Sequence, residues 1–393
     1  MMGKMKPRER LLAAMRHEET DYVPVSPRIM LDDIYGCSCW MHQLRAGKEF
    51  DYDPHIILGP QGPRASYIWY SFGPYDMKDV YVKLSVDMNE QQYMAARRIE
   101  TPVGIMTDNT RFGRSQTWDS GVKSYYTPNP YKTEYLIKGP EDLEKFHYFI
   151  TKLYEDYGPS NRLPDYHEVK EAVGEDGLVE YAVYGVIDHV YAYSSEDMMV
   201  AYYRDRKFLT DLLEIHFEPV MAETKAALEA GVEVIFTPWY FCSMSAGWSP
   251  KMYRDLFAPL LKKQVDLIHS YDALCDFYDD GKLMQSADII AECGVDVLET
   301  LTPPPVGDVD LAKLKVQIGG KTCLKGYMDL WYVIHEGTPE SIELEVKKAI
   351  ETAAPGGGFI LGTSDSIRPG TPIENIKAYF KAGRKYGKKG IGW

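Results

Sequence analysis

Carboxylates stand at the ends of three predicted strands in the second half of the sequence: Asp280, Glu299 and Asp365. Loops that follow parallel strands share one face of an α/β fold, so we expect these side chains to lie close together. Like charges a few ångströms apart cannot all ionise, so Asp280, flanked by Asp279, can keep a proton near neutral pH. The same cluster can instead bind a divalent metal ion that acts as a Lewis acid. Both interpretations stay open at this point.

Four further residues at predicted strand ends are candidates for the same site. The phenol of Tyr278 can donate a hydrogen bond, and the pKa of His189 suits proton transfer. Trp239 and Tyr240 can stack on a planar ligand. Each candidate also has a structural explanation, such as an N-cap at Asp279, a hydrogen-bonded histidine or aromatic packing at the rim of the fold.

Regular alternation of strands and helices from Leu178 onward would position these residues. The predicted strands are Val179 to Val186, Val232 to Phe236, Ala273 to Phe277, Val295 to Leu298, Thr322 to Gly326 and Phe359 to Leu361. One predicted helix begins after the Ser194/Ser195 cap. The others run from Ser249-Pro250 to His269, from Leu283 to Glu292, from Pro339 to Thr352 and from Pro372 to Arg384. Strand, loop, helix and glycine stop follow one another without hairpin signals, which predicts parallel strands joined by crossover helices.

The N-terminal half is less regular. An amphipathic helix is predicted from Pro7 to Glu19 and a short strand from Tyr22 to Val25. Between about Ile34 and Glu144 many Pro, Gly and Tyr residues interrupt the pattern, which indicates long insertions or a lid. We therefore predict one domain over residues 1–393, an α/β fold of the (β/α)8 TIM barrel type with insertions in its N-terminal half.

Composition narrows the possible partners. The formal net charge is −14, so nucleic acid and an anionic membrane surface would be repelled. No leader peptide and no apolar stretch of membrane-spanning length stand out, which predicts a cytoplasmic protein. The 6 cysteines are scattered along the chain and favour reduced thiols over a disulfide framework.

Five segments resemble the uroporphyrinogen decarboxylase superfamily, which contains decarboxylases and a branch of corrinoid-dependent methyltransferases. They span nearly the whole chain and read PRERLLAAMRHEETDYVPV, WSPKMYRDLFAPLLKKQVDLIH, GVDVLETLTPPPVGDVDLAKLK, KTCLKGYMDL and GGGFILGTSDSIRPGTPIENIKAYFKAGRKYG. The resemblance implies the same barrel fold.

Departures from the superfamily's patterns indicate which branch this chain is similar to. The decarboxylases carry an arginine-rich segment after the first strand to hold many carboxylates, whereas PVSPRIMLDDIYG offers Arg28 beside two aspartates. The thiol-activating methyltransferases place a His-x-Cys pair where this chain has Tyr278-Asp279-Asp280-Gly281, and Asp365 replaces a further Cys. Without soft ligands, a zinc site that activates a thiolate is disfavoured. The chain is most similar to the substrate-demethylating members, in which Asp stands at the Cys position.

The resemblance implies a methyltransferase of the O-demethylase kind, which moves a methyl group from a small methoxylated or N-methylated substrate to the Co(I) corrinoid of a partner protein. The catalytic residues would be Asp280, Glu299, Asp365, Tyr278 and His189. The substrate would be bound by Trp239, Tyr240, Asp279 and Arg28. If zinc or another divalent ion is bound, its ligands would be Asp280, Glu299 and Asp365. Two alternatives stay open: a carboxy-lyase acting on a small aromatic acid, and a non-catalytic barrel that binds a ligand or partner. A homodimer is an open alternative to a monomer.

Overall fold

The computed structural model describes residues 4–36, 39–59, 77–88, 92–113, 131–157, 163–186 and 192–388. The strands of this part of the chain, numbered in order, are β1 His55–Leu58, β2 Tyr81–Met88, β3 Gln92–Thr101, β4 Gly104–Gly113, β5 Tyr131–Glu134, β6 Leu178–Ala182, β7 Val234–Pro238, β8 Leu274–Tyr278, β9 Val297–Leu301, β10 Cys323–Met328 and β11 Phe359–Thr363. The α-helices are Pro7–Met15, Asp32–Tyr35, Trp40–Phe50, Leu143–Tyr157, Leu163–Val173, Ser195–Arg204, Arg206–Glu229, Pro250–Met252, Ala258–His269, Ala287–Glu292, Leu311–Gln317, Pro339–Ala353 and Ile373–Tyr386. The chain divides into two compact units, one of residues 1–59, 163–184 and 224–393 and one of residues 60–162 and 185–223.

The first unit contains a parallel sheet of 7 strands in the order β1-β6-β7-β8-β9-β10-β11. Every neighbouring pair in this sheet is parallel. Neighbours in space are therefore neighbours along the sequence within this unit, and from β7 onward helices alternate with the strands, as the sequence pattern predicts. The α/β class and the parallel strands are confirmed.

The N-terminal helix Pro7–Met15 packs against the beginning of this sheet. Its side chains Leu11, Leu12 and Met15 join one apolar cluster with residues at the start of six strands, namely Leu178, Val234, Leu274, Val297, Cys323 and Ile360. A single helix of 9 residues can reach the starts of six strands only if the sheet curls around it. The parallel sheet is therefore curled rather than flat.

The segment predicted as a strand from Tyr22 to Val25 forms isolated bridges instead of a continuous strand. Val25 pairs in parallel with Leu361 of β11, and Tyr22 pairs antiparallel with Lys388. The amide of Ser26 donates to the carbonyl of Leu361 at 2.8 Å, and the amide of Asp53 donates to the carbonyl of Val25 at 2.9 Å. The segment thus has hydrogen bonds to the last strand and to the residues just before the first.

The second unit contains an antiparallel sheet of 4 strands in the order β2-β3-β4-β5. It lies in the stretch that the sequence predicts as irregular insertions. On β3, Ala95, Arg97 and Ile99 are buried, and the Arg97 guanidinium pairs with Asp108, which also binds Lys132. Charged residues on the buried face break the apolar alternation by which a half-buried strand is recognised, so the sequence pattern is weak here.

Two helix boundaries differ from the prediction. The first helix ends at Met15 and not at Glu19, because His17 adopts a left-handed backbone with φ 58°. The helix expected from Leu283 begins at Ala287, because the amides of Leu283 and Met284 donate to the Asp308 carboxylate and hold an irregular loop. The Ser194 cap is confirmed, since its hydroxyl accepts from the amide of Asp197 at 3.1 Å.

In the described part of the chain, no helix has both the length and the apolar character that crossing a membrane requires. No disulfide joins the cysteines described there.

Candidate active site

The end of β8 carries a tyrosine and an aspartate in direct contact. The Tyr278 hydroxyl donates to Asp280 Oδ2 at 3.1 Å. Tyr278 is 5% exposed, and its ring packs edge-on against Phe236 with centroids 5.8 Å apart. Because packing fixes the tyrosine ring, its hydroxyl fixes the orientation of the half-buried Asp280 carboxyl.

Arg28 lies over the same aromatic rings. Its guanidinium carbon is 4.8 Å from the centroid of Tyr278 and 5.0 Å from that of Phe236. Its Nε is 3.6 Å from Glu299 Oε1. The arginine is half-buried, so its remaining donors can meet a bound anion or a polar oxygen.

Burial of Asp280 favours its protonated form. Burial raises the pKa of Asp280, and the charge of Asp365 raises it further, while the Tyr278 hydrogen bond and Arg28 act in the opposite direction. The net shift is upward. Asp365 itself accepts from Arg368 Nη2 at 2.6 Å and from the amide of Ser366 at 2.6 Å. The sequence prediction of an acid that keeps its proton therefore has a physical basis at Asp280.

Glu299 occupies the middle of β9 and not its end. Its side chain is almost fully buried, and Oε2 accepts from Lys325 Nζ at 2.7 Å. Burial alone would raise the pKa of Glu299, but the charges of Lys325, His55 and Arg28 lower it below its usual range. Glu299 is therefore an ionised partner for the cations around it and has no proton to donate.

A buried polar cluster lies beneath Glu299, inside the parallel sheet. Lys325 Nζ is 2.8 Å from Asp276 Oδ2 and 3.2 Å from His55 Nε2, and that imidazole nitrogen is 3.0 Å from Glu180 Oε2. Sequence reasoning missed these four residues. Their signal was a charged residue inside an otherwise apolar strand, as in LVEYA, LCDFY and CLKGYM, because such a charge must be paired when the strand is buried on both faces.

The other predicted residues fall outside this group. Asp279 is 1% exposed. Its carboxyl lies close enough to the buried Tyr253 for its charge to raise the pKa of that phenol. Burial raises the pKa of Asp279 well above its usual range. Trp239 is 1% exposed and packs against Phe277, so its ring is not on the surface of the site. The backbone of Tyr240 begins a short 3₁₀ helix, Tyr240–Cys242.

His189, the remaining candidate, lies outside the described residues. The structure therefore brings together Tyr278, Asp280, Glu299 and Arg28, with Asp365 acting on Asp280 and Arg28 through its charge. It does not bring Asp279 or Trp239 to them.

The predicted metal ligands do not form a metal-binding set. Asp280 is held by Tyr278, Asp365 by Arg368 and Glu299 by Lys325. Among the described residues, the set of three whose ligand atoms all lie within 4.8 Å of one another is His55, Glu180 and Asp276. Asp280, Glu299 and Asp365 therefore do not fit zinc as a set of ligands.

A family model described as "Uroporphyrinogen decarboxylase (URO-D)" matches residues 190–386, which is half of the 393-residue chain. The chain belongs to the uroporphyrinogen decarboxylase family. The matched range contains β7 to β11, and with them Tyr278, Asp280, Glu299 and Asp365. Strands β2 to β5 lie outside it.

Relatives within the family include two kinds of enzyme. A uroporphyrinogen decarboxylase of Synechococcus sp. (strain CC9605) is 28% identical over 246 residues, covering 58% of this chain and 64% of the relative. The methylcobamide:CoM methyltransferase MtaA of Methanosarcina barkeri is 30% identical over 174 residues, covering 44% of this chain and 48% of the relative. The match thus spans less than two thirds of either relative's length.

A solved structure, a methyltransferase from Methanosarcina mazei, has a similar fold over nearly its full length. The TM-score is 0.66 at 20% sequence identity, with 97% of this chain and 99% of that chain covered. At this identity the similarity shows the fold, an α/β architecture with a curled parallel sheet.

Proposed function

We propose that this protein is a methyltransferase that transfers the methyl group of a small methoxylated or N-methylated substrate to the Co(I) corrinoid of a partner protein. The observation that carries the proposal is the half-buried Asp280, oriented by Tyr278 and raised in pKa at the end of β8. A methyltransferase among the relatives supports the same reaction class.

The chemical problem in such a reaction is the leaving group. The bond between the methyl carbon and its oxygen or nitrogen breaks, and its electron pair stays on the heteroatom. Asp280 supplies the proton that this heteroatom needs, and Tyr278 holds the carboxyl in the orientation for that transfer. The corrinoid, when its carrier protein is docked, supplies the nucleophile that accepts the methyl group. Solvent then returns a proton to Asp280.

Arg28 is the binding group in this proposal. It lies beside Asp280 on a platform of Tyr278 and Phe236, where it can hold one carboxylate or the ether oxygen of an aromatic substrate. Glu299 and Asp365 lie near Arg28, and their charges raise the pKa of its guanidinium. An arginine with Glu299 and Asp365 close to it favours a substrate with at most one carboxylate and disfavours a polycarboxylate.

The proposal uses proton transfer and not zinc, because Asp280, Glu299 and Asp365 are each engaged with a separate neighbour and do not converge. No step depends on a metal ion. The cation that the buried cluster does contain is Lys325.

The direct test is methyl transfer to cob(I)alamin, followed by its absorbance, with a panel of methoxylated aromatic acids and methylated amines. We expect a rate that depends on protein and substrate and that falls sharply in Asp280→Asn. The proposal is wrong if a broad panel gives no transfer, with either free cob(I)alamin or a corrinoid protein encoded by a neighbouring gene.

A second candidate is a carboxy-lyase that acts on a small aromatic acid. The observations that favour it are the decarboxylases among the relatives and an arginine that can hold a carboxylate beside a proton donor. It predicts release of carbon dioxide from such an acid without any corrinoid. Carbon dioxide release and methyl transfer are measured on the same protein, so one result separates the two candidates.

We also infer that the curled sheet closes as a (β/α)8 barrel, with residues 24–26 in the eighth strand position. The hydrogen bonds of Ser26 to β11 and of Val25 to Asp53, just before β1, support closure. So does Lys325 of β10, whose ammonium reaches His55 of β1 although the two strands are far apart in the order of the sheet. A crystal structure with an open gap between β11 and β1 would contradict closure.

The expected compartment is the cytoplasm, where a reduced corrinoid protein would be available as a partner.

A further inference from the structure

The buried cluster inside the parallel sheet is built around one ammonium group. Lys325 Nζ donates to Asp276 Oδ2 at 2.8 Å and to Glu299 Oε2 at 2.7 Å, and it lies 3.3 Å from Nδ1 and 3.2 Å from Nε2 of the His55 ring. Because His55 Nε2 is paired with Glu180 Oε2, Nδ1 is the ring nitrogen that can accept the third ammonium proton. The side chains of Lys325, Asp276 and Glu299 are each no more than 3% exposed. The lysine is therefore held on every side by protein and is out of contact with solvent.

The surroundings of Lys325 are those of a cation site. His55, Glu180 and Asp276 offer ligand atoms within 4.8 Å of one another, a nitrogen and oxygen set that divalent metal ions accept. Glu180 Oε1 and Asp276 Oδ1 are buried and have no hydrogen-bond partner. Three carboxyl groups, counting Glu299, face this space. Burial raises the pKa of Asp276 well above its usual range, whereas Glu299 is ionised beside the Lys325 ammonium, and a buried carboxylate requires such a cation.

We propose that Lys325 is the resident cation of this cage, present in place of a metal ion, and that through Glu299 it positions the candidate active site. Its ammonium holds one oxygen of Glu299, so that the other oxygen is directed towards Arg28 Nε, 3.6 Å away. Arg28 in turn lies over Tyr278 and Phe236. Lys325 is thus a positioning residue: it does not touch substrate, but it fixes the carboxylate that fixes the substrate-binding arginine.

Net stabilisation alone does not account for this arrangement. Removing two or more charges from water costs about as much as their attraction returns, and an apolar cluster of the same volume would be at least as stable. The physical effect of the cluster is orientation, because each member has one permitted position. Asp280 is oriented by its hydrogen bond from Tyr278 and not by Lys325 or Glu299.

The role in positioning rests on the proposed function and predicts a particular kinetic change. In Lys325→Met, Glu299 loses its anchor, and Arg28 is no longer held in place. We expect KM for the methylated substrate to rise about tenfold while kcat stays within about threefold, because the hydrogen bond between Tyr278 and the proton donor Asp280 does not involve Lys325. Lys325→Arg keeps a cation and should restore much of the affinity. Lys321→Met, an exposed lysine on the neighbouring turn, is the control and should change neither constant.

A merely structural role would lower the folded fraction and with it kcat, and would leave KM unchanged. That pattern in a folded Lys325→Met protein would overturn the positioning role. So would a Lys325→Arg variant whose KM is no better than that of Lys325→Met.

The cation cage is tested without any activity. Protein dialysed against chelator is loaded with Zn²⁺, passed through a desalting column and analysed for metal, with folding checked by circular dichroism. We expect wild type and its His55→Gln variant to retain the same amount of zinc, because the cage already contains its cation. Lys325→Ala should gain one equivalent, and Lys325→Ala combined with His55→Gln should lose it again.

A wild-type protein that binds an equivalent of zinc lost in His55→Gln would show that the cage is a metal site, and the proposal would be wrong. A folded Lys325→Ala protein that gains no metal would also contradict it. If no methyl transfer is found with any substrate, the proposed function fails, yet the zinc measurement still decides whether Lys325 is the resident cation. If Lys325→Ala does not fold, the same gain of one equivalent of zinc is measured in Lys325→Met, and a folded Lys325→Met protein that gains none contradicts the proposal.

Discussion

Asp280 carries the chemistry of the proposed reaction, because it combines a fixed orientation with a raised pKa and partial access to solvent. Glu299, also predicted as an acid, is instead ionised by its cationic neighbours. The two carboxylates therefore have different roles, set by what surrounds each of them.

The amide in Asp280→Asn cannot donate a carboxyl proton to the leaving group. We expect kcat for methyl transfer to fall by about 10²- to 10⁴-fold, the usual contribution of general acid catalysis. The cob(I)alamin absorbance assay measures it, and Asp288→Asn, on an exposed helical position, is the control. An Asp280→Asn protein with nearly full activity would remove Asp280 from the mechanism.

Tyr278→Phe tests the hydrogen bond between the phenol and Asp280. The phenol donates to the charged form of the carboxyl and so lowers its pKa, and without it the pKa of Asp280 rises further. The reactive form is the protonated one, which then persists to higher pH. We expect the alkaline limb of the pH profile of kcat to move upward by about one pH unit. A shift in the opposite direction would contradict the acid role.

Among the secondary-structure elements, the pairing of β9 with β10 contains an irregularity next to the buried cluster. Lys325 pairs with Glu299, but Gly326 pairs with Leu301, so the register shifts between these two positions. Gly326 has φ 127°, and a Cβ built there would lie 2.7 Å from the backbone nitrogen of Leu301. Only glycine allows the strands to approach this closely directly after the Lys325–Glu299 pair.

We therefore expect Gly326→Ala to lower the free energy of unfolding by about 2–3 kcal/mol, from backbone strain and the contact with Leu301. Urea unfolding followed by circular dichroism measures the change. Gly320→Ala is a matched control on the preceding turn, because a Cβ there meets no atom within 4 Å. Equal stabilities of the two variants would refute the steric explanation.

The antiparallel sheet β2 to β5 depends on a buried ion cluster of its own. Asp108 is buried, and the pKa of its carboxyl is lowered because Arg97 and Lys132 outweigh the effect of burial. Asp108→Asn would remove the carboxylate charge that Arg97 and Lys132 share. We expect a loss of about 3–5 kcal/mol in unfolding free energy, whereas Asp87→Asn on the exposed face of β2 should have little effect.

The same cluster predicts a pH dependence. A carboxyl whose pKa is lower in the folded state stabilises the fold above its unfolded pKa of about 4, and this stabilisation is lost as the pH falls further. Wild type should therefore lose stability on acidification below about pH 4 through Asp108, and Asp108→Asn should lack this component. Denaturation curves recorded across that range would show parallel losses in both proteins if the interpretation were wrong.

For the whole molecule, the decisive question is whether the reaction needs a metal ion. The carboxylates at the strand ends have separate partners, and the cage beneath them already contains Lys325. We expect protein dialysed against EDTA to keep its rate of methyl transfer, with no stoichiometric zinc in elemental analysis. Loss of activity on dialysis, restored by added zinc, would require a different assignment of the site.

The sequence by itself determined the α/β class, the order of the parallel strands and the positions of Tyr278, Asp280 and Asp365 at strand ends. These features are local: glycine stops, N-caps and apolar runs act within a few residues, and parallel strands connected by helices leave few topologies. The resemblance to the uroporphyrinogen decarboxylase family followed from contiguous segments in the same way.

Only the tertiary structure decided which polar residues meet. The cage joins His55, Glu180, Asp276, Glu299 and Lys325 from five different strands, and their contacts arise from the curl of the sheet, which no local pattern encodes. The sequence predicted Asp280 as catalytic and Asp279 as substrate-binding, but only the backbone just past β8 decides that Asp280 meets Tyr278 while Asp279 is buried away from it. Among the acids with which the sequence began, the tertiary structure thus raises the pKa of Asp280, mainly through burial, and lowers that of Glu299 through the charges of Lys325, His55 and Arg28.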